Sequence, residues 1–374
     1  MRRSRVRSEP DADDLHILAA DIGGTSSRFA VFSLRICMSG RAGPSPGPEY
    51  LELAFLRQIH FPTQSFANAG QLLDALAAAA DPAGNGFLPR SPRPVALRAA
   101  ALALPGPARN ACPSAPQPAD EVCHCPNIPW PIAHAELVAG AGIAEVRILN
   151  DFVAQGFACA LLPAALEAAL ILPGDREAQG TLALIGAGTG LGQCTVVPGA
   201  TPVVLPSEGG HGLFPFLGAE EALFADYLGN KRGHGGLVKD AVVSGQGLAD
   251  LFAFHAGREE SPEEAVRQLA RHPEVLAWFA RFYGRVCREF MLAVLPRGGL
   301  YITGGMASHV TGLLSHPAFT AELYAVKAME HVLRAMQVRH VRSQNAGLWG
   351  AAAFAAQSLY PGMPIRAVQG NTGY

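Results

Sequence analysis

The sequence predicts an α/β protein of two domains, and three observations carry that expectation. Strand-like apolar runs alternate with helix-like patterns through both halves of the chain, the order that builds layered α/β domains. At 374 residues the chain exceeds what one hydrophobic core usually organises. Each half also places a glycine-rich turn directly after an apolar run. These are Asp21-Ile22-Gly23-Gly24-Thr25 after Leu15 to Ala20, and Gly186-Ala187-Gly188-Thr189-Gly190-Leu191-Gly192 after Thr181 to Ile185. The expected division is a solvated tail over 1–14, a smaller domain over 15–150 and a larger one over 151–374. A C-terminal helix is left able to pack back on the smaller domain, and a ligand cleft is expected between the two.

Leu15 to Ala20 and Arg28 to Phe32 read as strands joined by the first glycine turn, a hairpin whose tip approaches a ligand. Residues 37–50 are rich in Gly, Pro and Ser and read as loop. Gln71 to Ala80 reads as helix, and Val95 to Leu104 as a buried strand stopped by Pro105-Gly106-Pro107. Ala108 to Pro131 is Pro-rich without periodicity, hence loop with room for one short strand. Glu145 to Leu149 reads as a strand that delivers Asn150-Asp151 to a helix over Phe152 to Leu162.

The second half repeats strand, glycine turn, strand, with Thr181 to Ile185 and Gly192 to Val197 on either side. Ser261-Pro262-Glu263-Glu264 is a capping box with Pro at the first helical position, so a helix starts there. Val275, Phe279, Tyr283, Val286, Phe290 and Val294 recur at intervals of three and four, the stripe of a long helix with one buried face. Leu300 to Thr303 reads as a strand running into Gly304-Gly305.

Composition narrows the function. With 49% hydrophobic and 16% charged residues and a net charge of -2, the chain is neither disordered nor a basic nucleic-acid binder. Seven scattered cysteines point to a reducing compartment, the cytoplasm, rather than a disulfide framework. Met1-Arg2-Arg3-Ser4-Arg5-Val6-Arg7 is basic, but the acidic Ser8 to Asp14 follows where a signal peptide needs an apolar core. No apolar run is long enough to span a membrane.

A loop that wraps phosphate needs small residues, so that backbone N–H groups reach the anion, and a hydroxyl to add a bond. Both glycine turns offer these, the alternative being tight turns and nothing more. Asp151, at a strand end where open α/β sheets bind ligands, can take a hydroxyl proton during phosphoryl transfer, or can simply cap the helix that follows. Glu208 and His211, three apart among glycines, suit the hydroxyls of a sugar better than zinc, for which no third ligand stands nearby. Cys112, Cys123 and Cys125 around His124 lack the usual metal-ligand spacing and are expected as thiols.

These segments, in this order from about Ile17 to Ser358, resemble the bacterial glucokinase family, hexokinase-like sugar kinases of the actin type. The resemblance rests on Asp21-Ile22-Gly23-Gly24-Thr25 with Arg28, Leu149-Asn150-Asp151-Phe152, Gly186 to Gly192 and Glu208-Gly209-Gly210-His211. Ser244-Gly245 with Gly247-Leu248, and Ile302-Thr303-Gly304-Gly305, complete it. It implies two ribonuclease-H-like (actin-type) domains around the cleft and phosphorylation of glucose by ATP at the 6-hydroxyl. Asp151 would be the base, and Asn127, Asn150, Glu208, His211 and Asp240 would join it in binding the sugar. Asp21, Gly23, Gly24 and Thr25 would lie at the phosphates and at magnesium carried by ATP, near Asp21, with no metal site of the protein's own. Gly188 and Thr189 would hold the terminal phosphates, and Gly304 and Gly305 would flank the adenosine.

The chain departs from the family in five places. Ala20 stands for Gly, Ser26 for Asn, Ser207 for Gly, Asp240 for a sugar-binding Glu, and the 108–126 loop is longer. Asp240 therefore keeps another hexose or an amino sugar open as substrate. A sugar-sensing homologue with weak turnover is the competing class, against which Asp151 argues. A repressor is disfavoured because the residues before 15 are too few for a helix-turn-helix. The expected partners are a sugar and ATP, without nucleic acid or membrane, and a homodimer is the assembly left open.

Overall fold

The computed structural model describes residues 15–38, 49–79, 86–88, 97–107, 112–141, 143, 145–175 and 179–369. The expected tail over 1–14, most of the expected loop over 37–50, and residues 95–96 and 108–111 lie outside the described residues. The strands in chain order are β1 (Leu15–Ile22), β2 (Ser26–Met38), β3 (Glu49–Pro62), β4 (Leu97–Leu104), β5 (Val122–Cys123), β6 (Ile132–Ala133) and β7 (Val146–Asn150). They continue as β8 (Ala169–Leu172), β9 (Leu182–Ala187), β10 (Leu191–Val197), β11 (Val203–Ser207), β12 (Gly299–Thr303), β13 (Val338–His340) and β14 (Ile365–Gln369).

The chain forms two compact units, Met1–Ala165 with Asn345–Tyr374, and Leu166–Gln344. The boundary falls after Ala165, where the sequence reading placed it after 150. The helix Asp151–Leu161 explains the shift, because it buries Val153, Ala154 and Phe157 and packs on the C-terminal helix Ala346–Leu359. That packing is close. A Cβ added at Gly350 would collide with the Ala154 carbonyl oxygen, and Phe157 meets Phe354 edge to face at 5.1 Å.

In the first unit the sheet order is β14-β3-β2-β1-β4-β7, with β1, β2 and β3 antiparallel and β1, β4 and β7 parallel. The central β1 and β4 are buried on both faces, so they read as unbroken apolar runs and not as alternating ones. Their alanines let the helix Ala346–Leu359 settle against them.

In the second unit the order is β11-β10-β9-β12-β13-β8, with β9, β10 and β11 antiparallel and β9, β12 and β13 parallel. Antiparallel hairpin first, parallel strands beside it: the two units repeat one topology, and each glycine turn is the hairpin connection next to the central strand. The long helix Pro273–Val294 buries Val275, Phe279, Tyr283, Val286 and Phe290, as its stripe requires, while Val294 is half-buried. Ser261 Oγ accepts the Glu264 N–H at 3.2 Å ahead of Pro262, so Ser261 caps the helix Pro262–Gln268, while the Glu264 carboxylate accepts from Arg267 and Gln268. Among the described residues no helix is long and apolar enough to cross a membrane.

Candidate active site

The first glycine turn joins β1 to β2 and is closed by the Gly23 N–H donating to Ser26 O at 2.8 Å. Two residues just past β3 hold it. Thr63 Oγ1 donates to Gly23 O at 2.7 Å, and Gln64 Nε2 donates both to Gly24 O at 2.6 Å and to Asn127 O at 3.0 Å. A Cβ at Gly24 would stand 2.5 Å from Asn127 Cβ, so only glycine admits the Asn127 loop this close. Asn127 itself has φ 63, the left-handed region that Asn tolerates better than most residues, and it is exposed. Thr63 and Gln64 carry no motif, and sequence reasoning missed them.

Asp21 is the last residue but one of β1, with its Oδ2 paired to Arg28 at 2.5 Å. Behind it, a Cβ at Gly347 would lie 2.5 Å from the same oxygen, so the C-terminal helix begins against this carboxylate. A helix start is the favourable end for negative charge. Thr25 is exposed at the tip of the turn.

At the end of β7, Asn150 is the cap of the helix Asp151–Leu161. Its Oδ1 accepts the N–H groups of Phe152 at 2.9 Å and Val153 at 3.1 Å, and its Nδ2 donates to Gly106 O at 2.9 Å. Asp151 is the first helical residue, and its Oδ1 accepts the Phe152 N–H at 2.9 Å. Burial, then the Cys123 thiol and the Asp151 carboxylate, push the Cys125 thiol up to about 12.

In the second unit the Gly188–Gly190 turn is open to a cavity of about 450 Å³. Gly188 and Thr189 line it together with Gly245, Gln246, Pro262, Glu263, Val266, Gly305, Met306 and His309. That volume suits a nucleoside-sized ligand, since small-molecule sites run from ~300 to 1,000 Å³. Pro262, Val266 and Met306 offer an apolar wall, and Gln246, Glu263 and His309 a polar one. Gly304 has φ +89 and presses on Ala187 O, where a Cβ would lie 2.5 Å away, so β12 can turn into the cavity wall only through glycine. Among the sequence-predicted residues, Gly188, Thr189 and Gly305 are thus brought together, with Gly304 one residue behind.

Glu208 and His211 stand on a short 3-10 turn after β11, both more than half exposed, with His211 Nε2 and Glu208 Oε2 3.6 Å apart. Asp240 is elsewhere engaged: its Oδ1 accepts the Leu191 N–H at 2.5 Å. All seven cysteines are thiols, with Cys123 and Cys125 buried, and among the described residues no three His, Cys, Asp or Glu side chains gather as a metal site.

The family model for Glucokinase matches residues 18–358. The chain belongs to the glucokinase family. The glucokinase of Synechocystis is 30% identical to it over 92% of this chain and 99% of its own length, and that of Chelativorans is 29% identical over 91% and 92%. Two solved glucokinases share the fold. One, from an Antarctic psychrotroph, has a TM-score of 0.65 at 24% identity, covering 91% of this chain and 99% of its own. The other, from Balamuthia mandrillaris in complex with glucose, has a TM-score of 0.70 at 17% identity, covering 92% and 94%. The likeness gives this glucokinase-family chain the α/β fold of those two enzymes.

Proposed function

We propose that this chain transfers the terminal phosphoryl group of ATP to the 6-hydroxyl of glucose, with Asp151 as general base. The observation that carries the reading is the division of labour at the end of β7. Asn150 supplies the helix cap through Phe152 and Val153, and Asp151 shares only the Phe152 N–H, so capping alone does not account for its carboxylate. Family membership supplies the reaction class, and the cavity beside Gly188 and Thr189 supplies room for a nucleoside.

In this reading Asp151 accepts the hydroxyl proton as the oxygen attacks the phosphorus. Asn150 offers the sugar its remaining Nδ2 hydrogen, since Oδ1 is spent on the cap. Asn127 binds the sugar from its left-handed turn, and Glu208 and His211 take hydroxyls near the anomeric end. Thr189 holds the terminal phosphates by backbone N–H and hydroxyl, Gly188, whose own N–H donates to Gly190 O, leaves the anion room to approach, and Gly304-Gly305 flank the adenosine. Gly23, Gly24 and Thr25 take part in phosphate binding. Magnesium binds proteins through one or two carboxylates while keeping waters and phosphate oxygens. A single part-buried carboxylate, Asp21, fits that donor set, and the ion would neutralise charge on the phosphates.

The test is ADP release by the purified protein against a panel of hexoses and amino sugars. Glucose is expected to be turned over, and Asp151→Asn to abolish most of that turnover. The panel includes amino sugars because Asp240 stands where the family's sugar-binding Glu is expected and is occupied with Leu191. A panel without any turnover would favour the sugar-sensing reading.

A further inference from the structure

The second glycine turn, Gly186 to Gly192, has four glycines in seven residues. Such a segment loses more entropy on ordering than any other composition, so its shape must be imposed by neighbours. One grip comes from the helix Gly245–Ala256, whose Gly245 N–H donates to Gly188 O at 2.8 Å. A second is internal, the Gly188 N–H donating to Gly190 O at 2.8 Å. The third is Asp240. Its Oδ1 accepts the Leu191 N–H at 2.5 Å, and a Cβ placed on Gly190 would fall on that same oxygen.

Asp240 sits on the short helix Lys239–Val242, and the start of that helix is itself anchored. The Lys239 N–H donates to Gly212 O at 2.9 Å, just past the Glu208–His211 turn. A Cβ at Gly210 would collide with the Leu191 carbonyl oxygen. Leu191 is therefore fixed from two sides, its N–H by the Asp240 carboxylate and its carbonyl by the backbone of Gly210.

We infer that Asp240 is a positioning residue for the second glycine turn and not a sugar ligand: it fixes Leu191 and so sets the Gly188–Thr189 limb against the nucleotide cavity. A hydrogen bond from a backbone N–H to a carboxylate is short and among the stronger kinds. The aspartate length matters, because Gly190 lies directly against the oxygen and leaves a longer acid no room along that line. The inference rests on the proposed use of this turn for phosphate, and its test is chosen to separate the two.

Asp240→Ala and Asp240→Asn are compared with the unmodified chain in steady-state kinetics and in hydrogen exchange over 186–192. Removing the acceptor is expected to raise KM for ATP about tenfold or more, leave KM for glucose within about twofold, and speed exchange of the Leu191 amide. Asp240→Asn keeps an acceptor oxygen in place and is expected to restore most of the ATP KM, which a general packing defect would not predict. A glucose KM that rises while the ATP KM holds would make Asp240 a sugar ligand and overturn the inference. So would unchanged exchange in Asp240→Ala. If the unmodified chain phosphorylates no sugar, the proposed function fails, and the exchange measurement, with and without the non-hydrolysable analogue AMPPNP, still decides the role of Asp240.

Discussion

Asp151 and Asn150 divide two tasks that a single residue at a helix start often combines. Because Asn150 holds the N–H groups of Phe152 and Val153, Asp151→Asn removes a charge and leaves the cap in place. Turnover of glucose is expected to fall about 10²- to 10⁴-fold, as for loss of a general base, with the melting temperature nearly unchanged. Normal turnover in that variant would remove Asp151 from the chemistry. Gly188→Val tests the nucleotide side by a different route. Gly188 has no positive φ, and nothing lies within 4 Å of where its Cβ would be, so the fold accepts the side chain and the cavity takes the bulk. Calorimetry is expected to show ATP affinity lost with glucose affinity kept, whereas equal loss of both would mean misfolding. The places of Asp151 and Gly188, after a strand end and in a glycine turn, were legible in the sequence because those features are local. The partners of Asp240 and Gln64 were not. Leu191 lies 49 residues from Asp240, and Gln64 reaches Asn127 across 63, distances over which a hydrogen bond to backbone leaves no pattern.

At the scale of elements, what packs through a stripe or stops at a cap could be read, and what packs all round could not. The helix Pro273–Val294 announced itself by its stripe and the helix Pro262–Gln268 by Ser261. Strand β3 passed unnoticed because its buried and exposed positions do not alternate cleanly, and the helix Ala346–Leu359 is alanine-rich and buried on every side, so it shows no face. Nor does a stripe reveal the buried ions behind it. Arg285, 1% exposed, joins Glu221 at 2.6 Å and Glu322 at 2.9 Å, and Arg288 joins Glu322 at 2.7 Å. This network fastens the helices Gly218–Arg232, Pro273–Val294 and Pro317–Leu323 to one another. Burial pushes the Glu322 carboxyl up, but hydrogen bonds from Arg285 and Arg288 outweigh it, so its pKa lies below the ordinary carboxylate value. A group whose pKa is lowered by folding contributes its full stability above the unfolded value, ~4.3 for Glu, and loses it as pH falls through the lower folded value. Glu322→Gln is expected to cost about 1.5–3 kcal/mol at pH 7 in urea unfolding. The variant should also lose less stability than the parent as pH drops below about 4.3. Parallel acid limbs for the two proteins would show that Glu322 is not ionised against its arginines.

On the scale of the whole chain, the two units differ in how they are threaded. Leu166–Gln344 is one continuous stretch and contains the second glycine turn, the Glu208–His211 turn, Asp240 and the nucleotide-sized cavity. The other unit borrows its last strand and its most buried helix from residues beyond 344. The helix Ala346–Leu359 is held in this unit by its rings: Trp349 lies 5.0 Å from Phe32 and 5.9 Å from Phe55, and Phe354 meets Phe157. Stripping an aromatic from a core costs about 3–5 kcal/mol, and a domain's whole stability is about 5–15 kcal/mol. A chain ended at Gln344 loses two such aromatics together with β14 and the backbone that closes on Asp21 and Ala154 at Gly347 and Gly350. The first unit is therefore expected not to fold in that truncation. The fragment 166–344 keeps every strand of its sheet, and is expected to melt cooperatively by circular dichroism and to give a binding heat with AMPPNP. Far-ultraviolet signal and heat together decide it: a truncated chain that melts like the full one, or a folded fragment that binds no nucleotide, would contradict this assignment of structure and ligand to the separate units.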